Sequence, residues 1–111
     1  MNSYEKGKRA EKLAIVILWI KGYKIKACRY KTPVGEIDLI AQRRSCFVFV
    51  EVKRRGSQDQ ALASISQRQQ QRIRRAAEFY FVKHPKLKIT EIRFDVIAFW
   101  SWKWCHLKNV W

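Results

Sequence analysis

Two runs, Gly35-Glu36-Ile37-Asp38-Leu39-Ile40 and Phe47-Val48-Phe49-Val50-Glu51-Val52-Lys53, set carboxylates inside apolar stretches that otherwise read as β-strands. The chain carries 9 acidic residues against 24 basic ones, so acids in such company stand out. Side chains on a strand alternate between faces. That alternation puts Glu36 and Asp38 on one face, with Ile37 and Leu39 on the other. In the second run it joins Glu51 to Lys53 and sets Val48, Val50 and Val52 opposite. The strands they belong to, residues 36–42 and 46–54, are joined only by Arg43-Arg44-Ser45, which predicts an antiparallel hairpin. In that hairpin Asp38, Glu51 and Lys53 converge on one patch. Two carboxylates and a lysine suit a Mg²⁺ or Mn²⁺ site for phosphodiester hydrolysis.

Outward from the hairpin, residues 3–21 read as a helix, with Ser3 as N-cap and Gly22 as the stop. Ala10, Leu13, Ala14, Ile17 and Leu18 form its apolar face, and Glu11 lies at the edge of that face. Tyr23 to Tyr30 reads as a strand and Thr32-Pro33-Val34-Gly35 as a turn. Residues 54–60 break the pattern as a mobile basic loop. A second helix is predicted from about Ser66 to Lys83, ended by Pro85, with Ile73, Ala76, Ala77, Tyr80 and Phe81 as its buried stripe. Ile89 to Trp100 reads as a further strand, and residues 101–111 as an aromatic edge strand or tail. The order α-β-β-β-α-β(-β) predicts one α/β domain over residues 1–111, a mixed sheet flanked by helices. The crossover helix makes the third and fourth strands parallel.

A chain of 111 residues with 48% hydrophobic content has enough material for one modest core and is too apolar for global disorder. A net charge of +15 favours a polyanionic partner, with nucleic acid ahead of a membrane surface. The longest apolar run, Leu13 to Ile20, is far shorter than the roughly 20 residues that span a bilayer, and no signal-peptide cleavage site follows it. Cys28, Cys46 and Cys105 are odd in number and lack metal-ligand spacing, as expected of free thiols in a reducing, cytoplasmic setting.

Mg²⁺ takes hard oxygen ligands and keeps several waters, so Asp38, Glu51 and the backbone carbonyl of Val52 make a sufficient set. Lys53 would orient the attacking water or stabilise charge on the phosphate. Glu11 would join the site if the first helix packs against this end of the sheet; otherwise it is an exposed helical ion-pair residue. Gln70 would hydrogen-bond the phosphate or the cation's water. Arg43, Arg44, Arg54 and Arg55 flank the acidic segments, and with Arg68 and Arg72 on the second helix they are candidates for gripping phosphates. A cross-strand ion pair is the plainer reading of Glu51 and Lys53, and their apolar neighbours fit it poorly. Asp95 reads as a structural hydrogen-bonding residue, and His106 as a surface or edge-strand histidine. The tail tryptophans suit a core, an interface or stacking on unpaired bases.

The spacing Asp38-x12-Glu51-Val52-Lys53 resembles the PD-(D/E)XK nuclease motif. Gly7-Lys8-Arg9-Ala10-Glu11-Lys12-Leu13-Ala14, Lys21-Gly22-Tyr23-Lys24-Ile25, Gly35-Glu36-Ile37-Asp38-Leu39-Ile40-Ala41, Phe49-Val50-Glu51-Val52-Lys53-Arg54-Arg55, Arg74-Arg75-Ala76-Ala77, Arg93-Phe94-Asp95-Val96 and the tail from His106 to Trp111 together resemble the YraN-like family of small predicted endonucleases, over nearly the whole chain. The resemblance implies a restriction-endonuclease-like core related to Holliday-junction resolvases. It places Asp38, Glu51 and Lys53 in the nuclease positions, with Glu11 as the helix carboxylate. Gln69 departs from the pattern, standing where the family commonly has a lysine, while Gln70 matches the glutamine that follows. The implied activity is metal-dependent cleavage of DNA rather than RNA, on branched or processed structures, with a homodimer suited to cutting two strands. A non-catalytic nucleic-acid-binding module on the same fold is the alternative.

Overall fold

The computed structural model describes residues 2–111. Helix α1 (Ser3–Ile20) leads into strands β1 (Lys24–Thr32), β2 (Gly35–Arg43) and β3 (Cys46–Arg54). Helices α2 (Gln58–Ala63) and α3 (Gln67–Lys83) follow, then strands β4 (Glu91–Trp100) and β5 (Lys103–Leu107). The five strands lie in sequence order in one sheet. β1, β2 and β3 are antiparallel neighbours, β3 and β4 are parallel, and β5 returns antiparallel on β4. The mixed α/β architecture and the parallel crossover are as the element order predicts. No helix among the described residues is long and apolar enough to cross a membrane.

Central β3 is covered on both faces, which is why it reads as a continuous apolar run. α1 packs on one face, where Ala10, Ala14 and Leu18 meet Leu39, Ala41, Val48, Val50, Ile97 and Phe99. α3 covers the other, where Ile73, Ala76, Ala77 and Tyr80 meet Ile37, Ile40, Phe47, Phe49 and Phe94. α2 covers Val96 and Ala98 with Ala61 and Ile65. Leu13, expected in the α1 stripe, is half exposed.

The α1 N-cap is Asn2 rather than Ser3: Asn2 Oδ1 accepts the Glu5 N–H at 2.8 Å. The helix ends at Gly22 in a Schellman arrangement. Gly22 adopts φ 90°, its N–H donates to Trp19 O, and the Tyr23 N–H donates to Leu18 O. The expected mobile loop is partly the helix α2. Ser57 Oγ accepts the Gln60 N–H, and the Gln60 side chain accepts the Gly56 N–H, so the cap is tied from both sides.

Gly35 fixes how α3 sits on the sheet. A Cβ there would lie 2.7 Å from the carbonyl oxygen of Arg72, so α3 comes as close to β2 as only glycine permits. That approach brings the first turn of α3 over the strand ends that carry the carboxylates.

Candidate active site

β2 and β3 pair from Arg43↔Cys46 to Leu39↔Val50 and then part. Asp38 bridges the divergence: its Oδ2 accepts the Val52 N–H at 2.9 Å. Glu51, 3% exposed, accepts from Gln69 Nε2 at 3.1 Å and lies 3.8 Å from Lys53 Nζ. Gln69 holds the third position of α3, where a side chain often folds back onto the helix cap; here Ser66 takes the Gln69 N–H and the amide reaches Glu51 instead. These groups line a cavity of about 620 Å³ together with Glu11, Val52, Lys6, Arg54 and Arg55. The cavity is acidic at its base and cationic around it.

Burial pushes the Glu51 carboxyl up to about 8, with repulsion from Asp38 next and the Lys53 ammonium opposing. Burial also raises Asp38, against the Val52 N–H and Lys53, while Glu11 adds repulsion. Two buried carboxylates that repel one another form a donor set whose charge a divalent cation neutralises. Among the described residues no three His, Cys, Asp or Glu side chains gather closely enough to hold a metal by themselves. The fitting set is therefore two carboxylates plus main-chain oxygen, with water completing a hard-cation shell.

Glu11 reaches the cavity but is engaged from the side. Arg29 Nε donates to Glu11 Oε2 at 2.8 Å. Arg29 has φ 49°, uncommon for a non-glycine residue. The β1–β2 register runs Cys28↔Leu39 and Tyr30↔Ile37, so Arg29 falls across from Asp38. Strand alternation slips at that point. Ile37 and Ile40 pack under α3 while Leu39 and Ala41 pack under α1, so Ile37 and Leu39 do not share a face as simple alternation predicts. The register shift between β1 and β2 itself lies earlier on β1, between Ile25 and Ala27.

A family model described as "Uncharacterised protein family UPF0102" matches residues 10–99. The chain belongs to UPF0102. It is 42% identical over 110 residues to a UPF0102 protein of Parvibaculum lavamentivorans, covering 98% of this chain and 83% of the relative. A UPF0102 protein of Rhodopseudomonas palustris is 47% identical over 95 residues, covering 86% of this chain and 72% of the relative. One of Nitrobacter winogradskyi is 44% identical over 95 residues, covering 86% and 80%. These matches bear out the YraN-like resemblance. The stretch matched to UPF0102 contains Glu11, Arg29, Asp38, Glu51, Lys53 and Gln69, the whole acidic end of the cavity.

Other sequence candidates in this UPF0102 chain fall elsewhere. Gln70 donates to Ile65 O at 3.4 Å, closing the α2–α3 connection, and it is Gln69 that enters the site. Arg43 and Arg44 sit at the β2–β3 turn, the opposite end of the hairpin from Asp38. Arg43 is occupied there, its guanidinium 4.5 Å from the Tyr23 ring centre and its Nη1 donating to Lys21 O. Arg68 and Arg72 line an adjoining groove of about 460 Å³ with Glu36 and Ser66, and Gln69 borders both spaces. Arg54 and Arg55 line the main cavity. Sequence reasoning gave Arg29 no role, since nothing in Ala27-Cys28-Arg29-Tyr30 signals a left-handed residue.

Asp95 anchors a separate buried network. It accepts from Arg93 Nη2 at 2.9 Å, from His106 Nε2 at 2.7 Å and from the Asn109 N–H at 2.9 Å. Arg93 Nη2 also donates to Tyr23 Oη, and Lys21 Nζ lies 2.9 Å from His106 Nδ1. Burial alone would raise the Asp95 carboxyl, but the bonds from His106, Arg93 and Asn109 outweigh it and hold the group below its ordinary value. His106 is on the edge strand β5, yet its side chain is fully buried, where Asp95, Lys21 and the Tyr23 ring meet it. The network ties α1, β4, β5 and the tail together away from the cavity.

Proposed function

We propose that this UPF0102 member is a divalent-metal-dependent nuclease that hydrolyses phosphodiester bonds in DNA, in branched or processed structures, within the cytoplasm. The observation that carries this reading is the meeting of Asp38, Glu51 and Lys53 in one cavity bordered by Lys6, Arg54 and Arg55. Asp38, Glu51 and the Val52 carbonyl would hold Mg²⁺ or Mn²⁺. The bound cation would lower the pKa of water and neutralise charge on the phosphate.

The chain's own residues do the rest. Gln69 holds the orientation of Glu51, and the Val52 N–H holds that of Asp38. Lys53 places a cation where charge develops on the scissile phosphate, or orients the water that attacks it. Lys6, Arg54 and Arg55 neutralise the neighbouring phosphates, so affinity for DNA falls steeply as salt rises. Cutting both strands calls for two sites, which a two-fold dimer supplies.

The test is cleavage of linear, flapped and four-way DNA with and without Mg²⁺. Metal-dependent cutting that Lys53→Ala abolishes supports the nuclease. A second reading, a binding module on the nuclease fold, draws on Glu11 being held by Arg29 and on the neutral Gln69 beside Glu51. Tight, salt-sensitive DNA binding without cutting of any substrate in the panel would select it.

A further inference from the structure

Trp102 is 98% exposed, although tryptophan is the side chain with most to gain from burial. It sits with Ser101 in the two-residue turn between β4 and β5, closed by the pair Trp100↔Lys103. Ser101 takes the left-handed backbone that such a turn demands, at φ 53°. Turn geometry therefore accounts for the backbone and not for an indole at the tip.

The turn projects from the catalytic end of the sheet. β3 and β4 run parallel with Lys53 beside Ala98 and Arg54 beside Phe99, and the Arg55 N–H donates to Phe99 O at 3.2 Å. The turn thus lies one strand over from the two arginines that border the cavity, with Lys103 next to it. Counting along β4 from Val96, the partner of Glu51, puts Trp102 roughly 20 Å from Glu51. A stacked single strand covers that distance in about six nucleotides.

We propose that Trp102 is a stacking platform for an unpaired nucleobase, so that the site engages DNA where single strand meets duplex. This rests on the nucleic-acid reading above and narrows its substrate class. The flanking cations complement the phosphates, and the indole face takes any base, because stacking does not read sequence. In an intact duplex the bases are already stacked on one another, which leaves Trp102 nothing to bind.

The experiment measures binding by fluorescence anisotropy in EDTA, which removes cleavage. The probes are a blunt duplex, the same duplex with a single-stranded thymidine tail, and that duplex with an abasic tail. Wild type is expected to prefer the thymidine tail to both other probes. Trp102→Ala should lose about tenfold on the thymidine tail with blunt-duplex affinity unchanged, and Trp102→Phe should keep most of the preference. Thermal unfolding of both variants should match wild type, since the replaced side chain touches solvent. Equal affinity of wild type for all three probes, or equal weakening of all three by Trp102→Ala, overturns the platform while leaving DNA binding in place. Failure of wild type to bind any probe at low salt overturns the nucleic-acid reading, and the platform with it.

Discussion

Arg29 and Glu11 are joined by a 2.8 Å hydrogen bond that crosses from β1 to α1 beside the cavity that Asp38 and Glu51 line. The bond holds Glu11 on a protein cation, and the arginine that makes it has an unfavourable backbone. Arg29→Asn separates the two effects, because asparagine tolerates φ > 0 and cannot hold the carboxylate as a cation does. Stability should stay close to that of wild type, since an exposed ion pair is exchanged for relief of strain. Mn²⁺ affinity, read by calorimetry, should rise several-fold as Glu11 becomes free. Unchanged affinity would show that Glu11 stays outside the cation's reach.

Gly35→Ala tests how α3 is seated. The new methyl would meet the Arg72 carbonyl at 2.7 Å, and backbone cannot yield as a flexible side chain can. A loss of about 1–3 kcal/mol is expected by urea unfolding, with Gln69 drawn away from Glu51. Wild-type stability would mean that α3 can shift without cost.

Asp95→Asn tests the second network. The exchange leaves Arg93, whose side chain is 12% exposed, with only the exposed Glu91 carboxylate 4.0 Å away as counter-charge. Destabilisation of about 3 kcal/mol is expected in thermal or urea unfolding. Mg²⁺ affinity of the folded protein should be unchanged, since Asp95 does not line the cavity.

In EDTA the protein should lose stability as pH rises from about 4.5 to 8. Glu51 holds its proton to about 8 when folded and to about 4.5 when unfolded. The native state therefore binds more protons across that window, and stability falls with rising pH. A loss of about 4 kcal/mol between pH 5 and pH 8.5 is expected, and Glu51→Gln should flatten the profile. Urea titrations at several pH values measure it. A wild-type profile as flat as that of Glu51→Gln would mean that Glu51 is solvated.

Much of this architecture is legible in the sequence because its signals are local. The alternation in β2, the unbroken apolar run of β3 and the crossover length fix the sheet order. Asp38, Glu51 and Lys53 meet because one short hairpin carries them all. α2 also had a signal, Ser57-x-x-Gln60, masked by the polar, basic residues around it. What was not legible depends on distant backbone. The face change at Asp38, and the left-handed backbone of Arg29 across from it, follow from no residue type in either strand. The choice of Gln69 over Gln70 depends on how Gly35 lets α3 rotate onto β2. His106 is buried against Asp95, Lys21 and Tyr23, from β4 and the end of α1, which no edge-strand pattern reveals.

The most direct test of the site is one comparison of metal binding and cleavage in Asp38→Asn, Glu51→Gln and Lys53→Ala. Calorimetric Mn²⁺ titration should show binding weakened by both carboxylate exchanges and retained in Lys53→Ala, while the Mg²⁺-dependent DNA cutting expected of the wild type should be lost in all three. Three variants that bind metal and cut like the wild type would contradict the assignment of Asp38, Glu51 and Lys53 as the catalytic centre.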